Sequence, residues 1–199
     1  MAELKELLEV APVFGRYGRP WFFAGGWAID LHLGRITRAH NDIDVLVMRR
    51  DQPRLSEHLA AFDLRKIIPH PEGLMNRGTV EPWREGELLE LPVHQVDVHA
   101  RGSNAKVFQV MMAESSDGDW VFRRNPAIRR PLVSIGFHPL WGLPYVAPEI
   151  VLLFKAKLMQ PYDIADFKSV LPRLSVKARA WLRNALAIAH PGHEWIVQL

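Results

Sequence analysis

The sequence predicts an α/β (α+β) fold: a mixed sheet flanked by helices, followed by a small C-terminal helical domain. Short β-branched, apolar runs such as Ile43–Met48 read as buried strands. Between them lie segments with apolar residues at helical spacing, such as Leu55, Leu59 and Phe62. Beyond residue 143 the strand signal stops and helical segments follow one another. The expected division is therefore residues 1–143 for the sheet domain and 144–199 for the helical domain.

The elements follow in order. Leu4–Val10 reads as a helix with Leu4, Leu7 and Leu8 on one face. Pro20–Ala24 reads as a strand and Trp27–Leu33 as a helix, with Gly34 where a C-cap belongs. Ile43–Met48 is the second strand, Pro53–Phe62 a helix on the sheet, and Leu64–Ile68 a short strand. Residues 69–92 hold several prolines and glycines and read as a loop with one hairpin. Val93–His99, Val107–Met112, Trp120–Arg123 and Ile128–Val133 read as later strands, the last two framing a substrate loop. In the C-terminal part, Pro148 and Glu149 open a helix over Glu149–Met159 that Pro161 stops. Ile164–Val170 and Val176–Ala189 read as further helices. Ser175 is the N-cap of the last, and Trp181, Leu182, Ala185, Leu186 and Ala189 form its inner stripe.

Composition sets outer bounds. With 199 residues, 48% of them hydrophobic, the chain can bury a real core. It has no cysteine, which excludes disulfides, thiolate metal sites and a cysteine nucleophile, and fits a cytoplasmic protein. Met1–Glu9 is charged and lacks the apolar segment of a secretion signal. No apolar run approaches the roughly 20 residues that span a membrane. The formal charge of +3 suits a polyanionic substrate such as a nucleoside triphosphate and is too small to argue for nucleic acid.

The chemistry concentrates in His40-Asn41-Asp42-Ile43-Asp44-Val45. Residues two apart share a face of a strand, so Asp42 and Asp44 point the same way. Two such carboxylates repel unless a cation sits between them. Mg²⁺ takes oxygen ligands and is commonly held by one or two carboxylates plus substrate phosphates. Upstream, Trp21-Phe22-Phe23-Ala24-Gly25-Gly26-Trp27 reads as strand, glycine pair and helix start. That geometry lets backbone approach a ligand closely and turns helix N–H groups toward a phosphate. Asp97 stands between Val96 and Val98, where a carboxylate is costly unless paired or metal-bound. If its strand lies beside that of Asp42 and Asp44, three carboxylates converge. Asp97 is then a metal ligand or the acceptor of a hydroxyl proton.

Gly25-Gly26-Trp27-Ala28-Ile29-Asp30, Leu33-Gly34-Arg35, Thr37-Arg38 and His40-Asn41-Asp42-Ile43-Asp44 together resemble the DNA polymerase beta-type nucleotidyltransferase superfamily. Within it the run is similar to the aminoglycoside 2″-adenylyltransferases and lincosamide nucleotidyltransferases. The contiguous match covers roughly residues 22–48 and continues more weakly through Asp97 and residues 149–167. The resemblance implies an enzyme moving a nucleoside monophosphate, AMP above all, from ATP or another triphosphate to a hydroxyl of a small molecule. It gives Gly25 and Gly26 to the triphosphate, Asp42 and Asp44 to Mg²⁺, and the third carboxylate to Asp97. Lys155, in Leu153-Phe154-Lys155-Ala156-Lys157, is the lysine it sets against triphosphate charge; Arg38, flanking the Asp pair, either contacts phosphate or holds the loop. The broader superfamily has Gly-Ser where this chain has Gly25-Gly26, so a serine contact to phosphate is missing.

Bland readings stand beside these. Lys155 and Lys157 are on different helix faces, about 200° apart, so one at most serves the nucleotide and the other is solvated. Asp30 orients Arg35 or Arg38. Asp163 caps its helix and Asp166 pairs with a Lys or Arg. Glu81, Glu85, Glu87 and Glu90 form either an acidic lip for a cationic acceptor or a solvated loop, and the loop is the favoured reading. Trp83 and Trp120 either stack on a base or sugar or belong to the core. Two other functions compete with small-molecule transfer: transfer to a macromolecule such as tRNA or protein, and non-catalytic nucleotide binding.

Overall fold

The computed structural model describes residues 4–70, 78–139 and 142–199; residues 71–77 of the predicted loop lie outside it. In chain order the elements are α1 (Lys5–Val10), β1 (Trp21–Phe23), α2 (Gly25–Leu33), β2 (Asp44–Met48), α3 (Gln52–His58), β3 (Asp63–Pro69) and β4 (Gly78–Pro82). Then come β5 (Gln95–His99), β6 (Lys106–Ser116), β7 (Asp119–Val121), β8 (Arg129–Pro131), β9 (Gly136–Phe137) and β10 (Tyr145–Val146). Three helices close the chain: α4 (Pro148–Lys155), α5 (Pro161–Val170) and α6 (Val176–Ala189). The fold is the predicted mixed α/β architecture with a helical C-terminal region.

The residues group into two compact units, each built from separated segments. The first holds Met1–Trp21 and Asp42–Glu114, the second Phe22–Asn41 and Ser115–Leu199. The helical segment expected from residue 144 onward falls wholly inside the second unit.

In the first unit the strand order is β4-β3-β5-β6-β2. β2 runs parallel to β6, while β5 is antiparallel to both β6 and β3. β3, the predicted Leu64–Ile68 strand extended, pairs antiparallel with β4, so the pairing takes in a strand outside the 69–92 loop where the sequence predicts a hairpin. Alternation sorts the faces: Val96 and Val98 of β5 are fully buried, and so is Val110 of β6, with Phe108 nearly so. Gln95, Asp97 and Gln109 take the intervening positions and are only partly buried. Phe14, Tyr17 and Leu55 complete this core. Each fully buried side chain of this size contributes about 1.5–3 kcal/mol of transfer free energy.

In the second unit β1 pairs parallel with β10, which pairs antiparallel with β9. β7 and β8 pair antiparallel, as expected for strands framing a loop. Helices α2, α4, α5 and α6 pack together. On α6 the predicted stripe buries Leu182, Ala185 and Leu186, and Ser175 caps it by accepting the Ala178 N–H at 3.1 Å. Phe167 of α5 stacks flat on Trp195, with centroids 4.2 Å apart. Pro161 opens α5 instead of merely ending α4, because a first-turn proline needs no hydrogen bond for its nitrogen. A capping box of Gln160 and Asp163 fixes that start.

Candidate active site

In the first unit, register brings three expected residues into one polar row. Asp44 of β2 lies opposite Gln109 of β6, and Gln109 lies opposite Asp97 of β5. The condition that the Asp97 strand lie directly beside that of Asp42 and Asp44 is not met, since β6 runs between them. Two strand spacings put the Asp44 and Asp97 backbones roughly 10 Å apart. All three residues lie on one face of the sheet, so the Asp44 and Asp97 side chains rise from that face on either side of Gln109.

A hydrogen-bonded chain fills the gap. Gln109 donates from Nε2 to Asp44 Oδ1 at 2.5 Å. Its Oε1 accepts from Gln95 Nε2 at 2.9 Å and from Lys106 Nζ at 3.2 Å. Gln95 also donates to Asp97 Oδ1 at 2.9 Å. The Lys106 ammonium stands 2.5 Å from Asp42 Oδ1 and 4.0 Å from Asp97 Oδ2. Lys106 reaches both Asp42 and Gln109, and Gln109 holds Asp44, so Asp42 and Asp44 do share a face. Among the described residues, no group of three or more acidic, histidine or cysteine side chains is arranged to hold a metal by itself. Two carboxylates with phosphate oxygens completing the shell suffice for Mg²⁺. An ammonium already seated on Asp42 shows that this carboxylate accepts a cation, so Asp42 and Asp44 fit such a metal.

In the second unit the glycine pair has an explanation within the chain. Gly25 has φ of +57° and begins α2, a conformation other residues adopt only under strain. A Cβ on Gly26 would fall 2.6 Å from the His40 ring and closer still to the Arg38 guanidinium. The ring cannot yield. Its Nε2 lies 2.6 Å from buried Asp30 Oδ2, and Trp27 packs on it at 4.3 Å. The diglycine is therefore the first turn of a helix under two basic side chains, not a loop before it. No side chain caps that turn. We expect Gly26→Ala to lower stability by about 1–3 kcal/mol through overpacking, although helix propensity alone favours alanine by about 1 kcal/mol. Thermal unfolding of the variant checks this; an unchanged or higher Tm would refute it.

Asp30 accepts from Thr37 N at 3.1 Å and Thr37 Oγ1 at 2.5 Å and also holds His40. It orders this loop as expected, with hydrogen bonds to Thr37 and His40, while its charge also acts on Arg38. Arg38 forks onto Asp166 with two 3.0 Å hydrogen bonds. Burial disfavours the guanidinium charge, but the Asp166 hydrogen bond and charge outweigh it and raise the Arg38 pKa above its ordinary value. Lys155 closes α4, and its Nζ lies 2.5 Å from Asp163 Oδ1 and 3.0 Å from Asp166 Oδ2. Arg38 and Lys155 both sit over the Tyr162 ring, each 5.3 Å from its centroid. Lys157 lies beyond the helix end and is exposed.

The weighed alternatives resolve toward structure. Lys66 pairs with both Glu81 and Glu87. Lys66 neighbours Arg65, the residue opposite Asp97, so alternation puts these glutamates on the other face of the sheet. That favours the solvated hairpin over an acidic lip. Trp83 is buried and donates to the Glu87 carbonyl at 2.9 Å. Trp120 is buried among Phe122, Phe154 and Trp181. Both tryptophans are core residues. Gln95, Lys106 and Gln109 are the residues that sequence reading missed. Gln109 between Phe108 and Val110 carries the same signal that singled out Asp97 between its valines.

Comparison with known proteins gives the class first. The chain superposes on a crystal structure of ANT(2″)-Ia in complex with adenylyl-2″-tobramycin, with a TM-score of 0.58 and 13% identity, covering 94% of this chain and 99% of that one. A solution structure of the antibiotic-resistance factor ANT(2″)-Ia gives 0.54 at 16% identity, covering 94% and 92%. Lincomycin-bound LnuA, a lincosamide antibiotic adenylyltransferase, gives 0.52 at 16% identity, covering 83% and 96%. These likenesses show a shared nucleotidyltransferase fold. The family model described as aminoglycoside-2″-adenylyltransferase matches residues 6–126, more than half of the chain, and the chain belongs to that family. No curated protein matches it by sequence.

Proposed function

We propose that this protein is a Mg²⁺-dependent nucleotidyltransferase that moves AMP, or another nucleoside monophosphate, from a nucleoside triphosphate to a hydroxyl of a small molecule, with an aminoglycoside or lincosamide as acceptor. The observation that carries this reading is the polar row from Asp44 through Gln109 to Asp97, with Asp42 on the same face. Family membership supports it, and so does the fold shared with two antibiotic adenylyltransferases.

The chain's own groups divide the work. Asp42 and Asp44 hold Mg²⁺, which when bound supplies electrostatic stabilisation of the triphosphate charge. Asp97, on the same face, serves in this reading as the proton acceptor, with metal ligation as its alternative role. It takes the proton of the acceptor hydroxyl as that oxygen bonds to the α-phosphorus. The bond from the α-phosphorus to the bridging oxygen breaks, and pyrophosphate leaves. Gln95 orients Asp97 by its hydrogen bond, and Gln109 orients Asp44. Gly25, Gly26 and Lys155 are the positions that the resemblance gives to the nucleotide, and Arg38, flanking the Asp pair, is a candidate phosphate contact. Most of the catalytic effect is alignment and charge stabilisation.

The test is Mg²⁺-dependent pyrophosphate release from ATP across a panel of aminoglycosides and lincosamides. Release that requires one acceptor supports the reading and names the substrate class. ATP binding without release on any member of the panel would redirect it to another acceptor, a macromolecule included. Failure to bind any nucleoside triphosphate would refute enzymatic nucleotidyl transfer.

A further inference from the structure

We propose that Lys106 is a resident counter-ion of the carboxylate row, which a divalent cation must displace from Asp42 before the site is loaded. The inference rests on the reading of Asp42 and Asp44 as metal ligands and goes beyond it by assigning a role to a residue outside that set. Lys106 opens β6, directly after the β5–β6 turn, and its side chain is about one-third exposed. Its ammonium contacts Asp42 Oδ1 and Gln109 Oε1 and lies 4.0 Å from Asp97 Oδ2. An ammonium has three donors and no acceptor, and the three atoms it faces, Asp42 Oδ1, Gln109 Oε1 and Asp97 Oδ2, are all acceptors. The position thus serves a cation generally.

Three consequences follow from that placement. Without metal, Lys106 offsets the repulsion between Asp42 and Asp97 and keeps the row assembled. A metal bound at Asp42 repels the ammonium, so the two cations compete for one carboxylate. The four-carbon stem lets Lys106 swing away without moving the strand. It then remains near the reacting groups as a mobile positive charge. Lys106 is a positioning residue, since it acts through Asp42.

The experiment is Mn²⁺ binding to the full chain without nucleotide, read by the electron paramagnetic resonance signal of free Mn²⁺. Wild type, Lys106→Met, Lys106→Arg and Asp42→Asn/Lys106→Met are compared, with thermal unfolding to verify that each is folded. Lys106→Met should bind Mn²⁺ about 5- to 10-fold more tightly, the order expected when a partly exposed ion pair of about 1 kcal/mol is removed. Lys106→Arg should stay near wild type because it keeps the charge. The double variant should lose the gain, because the competition is for Asp42. Equal or weaker binding by folded Lys106→Met would overturn the proposal. If acceptor-dependent pyrophosphate release persists alongside that result, the nucleotidyltransferase reading survives the loss. If no variant binds Mn²⁺ and no release occurs, both fall together.

Discussion

Asp44→Asn should lower acceptor-dependent pyrophosphate release by about a thousandfold or more while the protein stays folded. Asparagine keeps an oxygen that can accept the Gln109 Nε2 hydrogen bond now made to Asp44, so the β2–β6 contact has a route to survive. Only the charge is lost. Two unit charges about 4 Å apart interact by about 4 kcal/mol at an effective dielectric constant of 20, which is a floor for a divalent cation. Each 1.36 kcal/mol is about a factor of ten in rate, which puts that floor at about three orders of magnitude. Asp97→Asn should differ in kind. It removes a proton acceptor, with a loss of about 10²- to 10⁴-fold, and should leave Mn²⁺ binding close to wild type. Measuring kcat together with Mn²⁺ affinity for both variants separates the roles. Unaltered turnover in Asp44→Asn would refute the placement of the metal at this strand. A large loss of Mn²⁺ affinity in Asp97→Asn would instead make Asp97 a metal ligand.

Local signals carried most of the fold. Ile43–Met48 is apolar and β-branched, and it became β2 almost to the residue. Val176–Ala189 combines a serine cap with helical apolar spacing, and α6 has those bounds. Asp163 and Asp166 took the structural parts that spacing suggested, a cap and a cation partner. What remained hidden depended on pairing across distance in the chain. No local pattern says that β6 lies between β2 and β5, so the neighbour of Asp44 could not be read as Gln109. Lys106 became visible only when that register was known. The glycines show the converse limit. Gly25-Gly26 suggested room for a ligand, whereas the positive φ at Gly25 and the Arg38 and His40 side chains over Gly26 account for both. A phosphate role for them stands on the family resemblance, not on the glycines' presence.

Asp166→Ala should be strongly destabilising, by about 3–5 kcal/mol. Asp166 is 1% exposed and serves two cations at once, taking the Arg38 fork on both oxygens and the Lys155 ammonium on one. Its removal leaves Arg38 without its bidentate partner and Lys155 with Asp163 alone. Breaking a buried pair from one side costs that much because the remaining charge is still desolvated. Arg38 retains some solvent contact, at 26% side-chain exposure, so the lower end of the range applies. For a chain of this length 3 kcal/mol corresponds to a fall in Tm of about 6–12 °C. Lys155→Met should be milder, because it removes one cation and leaves Asp166 still bound by Arg38. The loss in Asp166→Ala should also reach Gly26, since Arg38 packs over it and would no longer be held. Gly26→Ala should therefore cost less in the Asp166→Ala background than in wild type, as a freed guanidinium can move aside for the new methyl group. Additive unfolding energies for the pair would show that Asp166 does not fix Arg38 over the helix.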